Sequence, residues 1–132
     1  MRVLYVDDDR ALTELVGAVL TGLGMQATTL NDPRVARARL LEERFDVLLI
    51  DLVMPGLDGL EVLQGIREEQ SLRHLPVVLV SSREDPLTPE QARGLNVRAY
   101  LRKPYQLEAL VPSLQAAIQT ATQKFSRKDL NR

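Results

Sequence analysis

Residues 47–59 read Val-Leu-Leu-Ile-Asp-Leu-Val-Met-Pro-Gly-Leu-Asp-Gly, and this stretch decides the architecture. Its first four residues are aliphatic, with no alternation of apolar and polar sides, so a strand here is covered on both faces. Asp51 ends the run abruptly. The pairs Pro55-Gly56 and Asp58-Gly59 then form turns, and Asp58 stands where it can cap a helix marked by Leu60, Leu63 and Ile66. A strand buried on both faces that runs into a helix is the building unit of a parallel sheet.

The same alternation extends in both directions. Further strand candidates are 3–6, 26–30, 77–80 and 99–101. The run Val-Val-Leu-Val at 77–80 repeats the fully buried pattern, whereas Gln-Ala-Thr-Thr-Leu at 26–30 is more polar and suits a sheet edge. Leu12, Leu15, Val16, Val19, Leu20 and Leu23 share one helix face, with Asp9 as N-cap and Gly24 as the stop. Asp32-Pro33 opens a second helix, whose Arg34, Arg37 and Arg44 form a solvated basic stripe. Thr88-Pro89-Glu90-Gln91 has the form of a capping box. A last helix carries Leu107, Leu110, Val111, Leu114, Ile118 and Ala121. Pro112 removes one of its backbone hydrogen bonds, which predicts a kink at 108–112 or a late start. The count is five strands and five helices, an α/β chain in one domain at 1–123, with residues 124–132 as a charged tail or the start of a linker.

Bulk properties set the limits. The chain has 132 residues, enough for a core without staples. Only 4% are aromatic, so the core is aliphatic. There is no cysteine, which excludes disulfides, thiolate metal sites and cysteine nucleophiles. The formal charge of −1 gives no global reason for nucleic-acid binding. No signal pattern follows Met1 and no apolar run nears the roughly 20 residues of a membrane span, so a cytoplasmic location is expected.

In a doubly wound sheet, ligands sit at the carboxyl ends of the strands. Those ends carry Asp7-Asp8-Asp9, Asp51, Ser81-Ser82 and Lys103. Two carboxylates about 4 Å apart repel by about 4 kcal/mol at an effective dielectric of 20. Three together call for a cation, and all-oxygen ligation suits Mg²⁺ or Mn²⁺. Taken singly, each residue also has an ordinary reading: the acids as an N-cap cluster, Lys103 as a surface lysine, the serines as a strand exit. His74, the single histidine, reads as a solvated loop residue.

The set VDDD, IDLVMPGLDG, VSS and YLRKP, in this order after strands one, three, four and five, resembles the receiver domain of two-component response regulators, the CheY-like superfamily. The match runs from about residue 2 to 121. It implies a (βα)5 flavodoxin-like fold with strand order 2-1-3-4-5. It implies a signalling phosphoacceptor that catalyses only its own phosphorylation and dephosphorylation. Asp51 would be the nucleophile, Asp7 and Asp8 would hold Mg²⁺ together with Asp51 and the backbone carbonyl of Val53, and Lys103 and Ser81 would contact the phosphoryl group. Ser81 and Tyr100 correspond to the paired switch residues that alter the face of the fourth helix, fifth strand and fifth helix. Val53 and Arg83 occupy the positions that tune phosphate lifetime. The Lys103–Pro104 bond is usually cis in the family. Where the family has Gly-Ala before the fifth strand this chain has Asn96-Val97, and Ser82 replaces the usual Ala or Gly; neither change removes a reactive group.

The resemblance further implies a sensor histidine kinase or histidine phosphotransfer protein as partner, docking around Arg10, Ala11, Glu14 and Leu15, and a homodimer through the switch face. Direct nucleic-acid binding by this chain is not expected, because nothing like a recognition helix follows the fifth helix. The chain is therefore a stand-alone or an excised receiver. Two other functions have some basis in the sequence. A haloacid-dehalogenase-type phosphatase reads Asp7-x-Asp9 as its motif, but Ala11 stands where that motif wants Thr or Val, and Asp51 is left without a role. A pseudo-receiver that binds without phosphate is opposed by the complete acid, serine and lysine set.

Overall fold

The computed structural model describes residues 1–54, 56–82 and 87–130. Five strands, β1 (Arg2–Val6), β2 (Gln26–Leu30), β3 (Val47–Asp51), β4 (Val77–Ser81) and β5 (Val97–Arg102), form one parallel sheet in the order β2-β1-β3-β4-β5. The helices are α1 (Arg10–Gly22), α2 (Ala36–Glu42, entered through a 3-10 turn at Pro33–Val35), α3 (Gly59–Glu68), α4 (Pro89–Gly94) and α5 (Leu107–Leu130). A two-residue ribbon pairs Val53 with Asp58 and Met54 with Leu57 between β3 and α3.

The unbroken apolar runs follow from the layers. Val47 and Leu49 enter one hydrophobic cluster with Val16, Leu20, Leu110 and Leu114 of α1 and α5. Leu48 and Ile50 enter another with Leu40, Leu63 and Ile66 of α2 and α3. Val78 and Val80 divide from Val77 and Leu79 in the same way. A strand with helices on both faces can leave neither side polar. β2 pairs with β1 alone and is only partly buried, as its polar residues require at an edge.

The local signals act as read. The Asp9 side chain accepts from Leu12 N–H at 3.0 Å, and Gly24 has φ +87°. Asp32 accepts from Arg34 N–H at 3.0 Å, and Asp58 from Leu60 N–H at 2.9 Å. Thr88 and Gln91 close their box at 3.1 and 2.9 Å. Asn96 takes the left-handed conformation, φ 55°, which asparagine tolerates in place of glycine. His74 is exposed in a turn.

Three features of the helices add to these signals. The basic stripe is solvated as expected, with Arg34, Arg37 and Arg44 all exposed, and two of its members are also paired, Arg34 with Asp32 and Arg37 with Glu69. Of the two alternatives for Pro112, the late start is not the one taken: α5 begins at Leu107 and contains the proline. Ser113 Oγ donates to the Ala109 carbonyl at 2.7 Å in that turn. The helical backbone also runs on to Leu130, across the segment read as a charged tail from residue 124. Cooperative elongation adds one hydrogen bond per residue fixed, so a charged sequence with no Gly or Pro has no local reason to stop.

Candidate functional site

The parallel register brings the expected side chains to one end of the sheet. Val6 lies opposite Ile50, Asp51 opposite Val80, and Ser81 opposite Arg102. Asp7, Asp51, Ser81 and Lys103 are therefore neighbours at the carboxyl ends of four adjacent strands. Asp7, Asp51 and Ser81 are buried, and Asp8 is exposed beside them.

Lys103 stands between the two buried acids. Its Nζ lies 2.7 Å from Asp7 Oδ2 and 2.9 Å from Asp51 Oδ2. Burial alone would lower the affinity of this amine for its proton, but the hydrogen bonds to Asp7 and Asp51 outweigh it and raise the pKa above the ordinary lysine value. The Lys103–Pro104 peptide bond is cis. Lys103 N–H donates to the Ser81 carbonyl at 2.8 Å, which joins the end of β5 to the end of β4.

Asp7 is held from all sides. Its Oδ1 accepts Asp9 N–H at 3.0 Å, and its Oδ2 accepts the Tyr5 hydroxyl at 2.7 Å as well as the lysine. Its carbonyl accepts Asn31 Nδ2 at 2.8 Å, and the same amide donates to Thr13 Oγ1 at 2.8 Å. Tyr5 is fully buried, and its hydroxyl lies 3.1 Å from that of Tyr105. Burial, then the hydrogen bonds with Tyr105 and Asp7, hold the Tyr5 phenol in its protonated form well above the usual tyrosine range. Burial also raises Tyr105.

One carboxylate oxygen each from Asp7, Asp8 and Asp51 lies within 4.8 Å of the others. Opposite ligands of one Mg²⁺ stand about 4 Å apart. The span is close to that, and the exposed Asp8 has the freedom to close the remainder. Three carboxylates against one ammonium leave an excess of negative charge that a divalent cation balances. The residues fit an oxygen-ligated cation of the Mg²⁺ type.

Tyr100 is half-buried on β5, packed on the cluster beneath α3, and its hydroxyl reaches the Ser81 carbonyl at 3.4 Å. Val53 stands two residues beyond Asp51 in the short ribbon. Arg83 lies outside the described residues.

The sequence reading missed several supporting residues. Tyr5 and Asp7 are two apart in extended chain and so share a side of the strand, a signal that was available. Tyr105 and Asn31 gave no local sign. Gly59 was read only as a turn former, yet a Cβ there would meet the Leu52 backbone at 2.5 Å. Gly59 N–H donates to the Leu52 carbonyl at 3.2 Å, so α3 starts directly against the residue that follows Asp51.

The comparisons agree with this geometry. The family model for the response regulator receiver domain matches residues 3–115. The response regulator MprA of Mycobacterium leprae is 36% identical over 120 residues, which are 89% of this chain and 51% of MprA. The DNA-binding response regulator MtrA of Mycobacterium tuberculosis is 32% identical over 119 residues, 89% of this chain and 50% of MtrA. The chain thus spans about half the length of these curated relatives. Among solved structures, the chemotaxis protein CheY4 of Vibrio cholerae superposes with a TM-score of 0.78 at 28% identity, over 88% of this chain and 97% of that one. A sheet in the order β2-β1-β3-β4-β5, an acidic cluster at its carboxyl edge and a family match over most of the length leave one conclusion: the chain belongs to the response regulator receiver domain family.

Proposed function

We propose that this receiver domain accepts a phosphoryl group on Asp51 with a divalent cation, Mg²⁺ or in its place Mn²⁺, held by Asp7, Asp8, Asp51 and the Val53 carbonyl. The observation that carries this reading is the position of Lys103, whose ammonium is 2.7 Å from Asp7 and 2.9 Å from Asp51. A fixed positive charge beside a buried carboxylate is what a phosphoryl acceptor needs, since such transfer is mostly positioning and charge neutralisation.

With a phosphohistidine donor, an oxygen of Asp51 attacks phosphorus. A P–O bond forms, the P–N bond breaks, and the imidazole nitrogen leaves with a proton taken from solvent. Lys103 moves its ammonium from Asp51 to the phosphoryl oxygens, and the Ser81 hydroxyl donates to one of them. The cation, when bound, supplies neutralisation of the phosphoryl charge. Tyr100, tied to the Ser81 carbonyl, follows the serine and changes the face of α4, β5 and α5. Val53 and Arg83 tune how long the aspartyl phosphate lasts. The reaction is the protein's own phosphorylation and dephosphorylation, not turnover of an outside substrate.

The partner is a sensor histidine kinase or phosphotransfer protein docking beside the site, where Arg10, Ala11, Glu14 and the exposed Leu15 line the start of α1. Homodimerisation uses the α4–β5–α5 face. We assign the signalling unit to residues 1–123, place it in the cytoplasm, and expect no nucleic-acid binding by this chain itself. MtrA, whose name carries DNA binding, is twice as long as the stretch it shares with this chain. Among the described residues no helix is long and apolar enough to cross a membrane.

Phosphoramidate, which carries the same P–N bond as phosphohistidine, tests the reading with Mg²⁺ present. A phosphate-affinity gel should show one retarded band, absent for Asp51→Ala. A band that survives this substitution would place the acceptor elsewhere.

A further inference from the structure

We propose that Tyr5, backed by Tyr105, is a positioning pair that holds the Asp7 carboxylate in the orientation that receives the divalent cation, an inference that rests on the phosphoacceptor reading above.

The position of Tyr5 is unusual for what surrounds it. Its side chain is fully buried in the cluster of Val3, Val16, Leu20, Val78 and Leu110, where a phenylalanine would meet the same apolar neighbours. A buried hydroxyl is costly unless it has a hydrogen-bond partner. This one is aimed along the strand at Asp7 Oδ2, 2.7 Å away. Lys103 reaches the same oxygen at 2.7 Å, and Asp9 N–H takes the other at 3.0 Å.

Proton counting sets the direction of the chain. The phenol has one proton, and the acceptor-only carboxylate takes it. In the 3.1 Å contact between the two tyrosines, Tyr105 is then the donor. The series runs from Tyr105 to Tyr5 to Asp7, and from Asp7 through Lys103 to Asp51. Two of its members, Tyr105 and Lys103, flank Pro104 in the same loop. Asp7 is therefore gripped twice by the segment after β5, once directly and once through the core.

The consequence concerns the moment at which Lys103 leaves. When the ammonium turns to the phosphoryl group, Asp7 Oδ2 loses one donor, and Tyr5 remains to keep the carboxylate in place. Hydrogen bonds to the back of a metal ligand orient it, and removing one typically weakens metal binding by about 10–100-fold. Tyr5 acts through its hydrogen bond to Asp7.

The test is calorimetric titration of Mg²⁺ into the full chain, wild type against Tyr5→Phe and Tyr105→Phe, with thermal melting of each. Tyr5→Phe should bind about 10-fold more weakly while melting cooperatively, and Tyr105→Phe should weaken binding by a smaller factor. Phosphorylation of Tyr5→Phe by acetyl phosphate should be slow at low Mg²⁺ and return to the wild-type rate at saturating Mg²⁺. A merely structural role would not produce that recovery. Wild-type affinity in Tyr5→Phe, or a rate that stays low at saturating Mg²⁺, overturns the proposal. Should Tyr5→Phe fail to fold, unchanged affinity in Tyr105→Phe overturns it. A wild type that binds no Mg²⁺ overturns the phosphoacceptor reading as well, so the two failures are told apart.

Discussion

Lys103 is the residue on which the electrostatics of the site turn. Its ammonium is shared between two carboxylates that are themselves almost inaccessible to water. Replacing it by methionine keeps the volume and takes this counter-charge from both acids. Breaking a buried pair in this way costs about 3–5 kcal/mol; the lysine is partly exposed, so the expected loss is nearer 2 kcal/mol. Urea unfolding of Lys103→Met measures it, and adding Asp7→Asn to the same chain should recover part of the loss. No recovery would mean that the lysine stabilises by packing rather than by charge. The same scale shows what sequence reasoning can reach. Asp7, Asp8, Asp51, Ser81 and Lys103 were legible as candidates because each is a polar residue just at the carboxyl end of a strand, where a doubly wound sheet places its ligands. Tyr5 is harder to single out: its spacing from Asp7 places both on one side of the strand, but a phenol inside a strand looks like any core aromatic until its hydroxyl has a partner.

Between single residues and the whole fold, the helix starts carry the information. Asp9, Asp58 and Thr88 were readable as caps because capping depends on a few consecutive residues. The close approach of α3 to Leu52 was not readable, since it depends on where two separated backbones meet. Gly59→Ala would put a methyl 2.5 Å from the Leu52 backbone, which cannot swing aside as a side chain can. We expect a loss of about 1–3 kcal/mol in chemical denaturation, with the helix start and Leu52 forced apart. An unchanged midpoint would show that the contact relaxes freely. Arg67 was another blind spot: it donates to the carbonyls of Leu72, Leu75 and Leu95, tying the end of α3 to the loops before β4 and β5. At the head of α2, Asp32 gives a pH signature. Hydrogen bonds from the Arg34 side chain and backbone hold its carboxyl below the usual value. Its contribution is complete above about pH 4, the ordinary aspartate range, and is lost as pH falls through the lowered folded value. Asp32→Asn keeps a cap acceptor and should flatten this acid limb slightly in melts below pH 4.

For the molecule as a whole, the strand order follows from chemistry as much as from resemblance. The two fully apolar runs, β3 and β4, occupy interior positions and the polar β2 an edge, and this order sets the acids of β1 and β3 beside the lysine after β5. The length of α5 escaped the reading because a run of charged residues does not by itself say where a helix ends. Cation binding should register in the stability of the entire domain. A ligand that binds only the folded state stabilises it by about 2.7 kcal/mol at a concentration 100 times its Kd. Melting should therefore rise with Mg²⁺ and return on adding EDTA, with no such rise in Asp8→Ala. A rise that Asp8→Ala retains would move the cation away from this cluster.

The central claim, phosphoryl acceptance on Asp51, meets its most direct test in the intact mass of the chain after incubation with acetyl phosphate and Mg²⁺. The account predicts a gain of one phosphoryl group in the wild type and none in Asp51→Ala or in the presence of EDTA. An unchanged wild-type mass, or a gain that persists in Asp51→Ala, would contradict it.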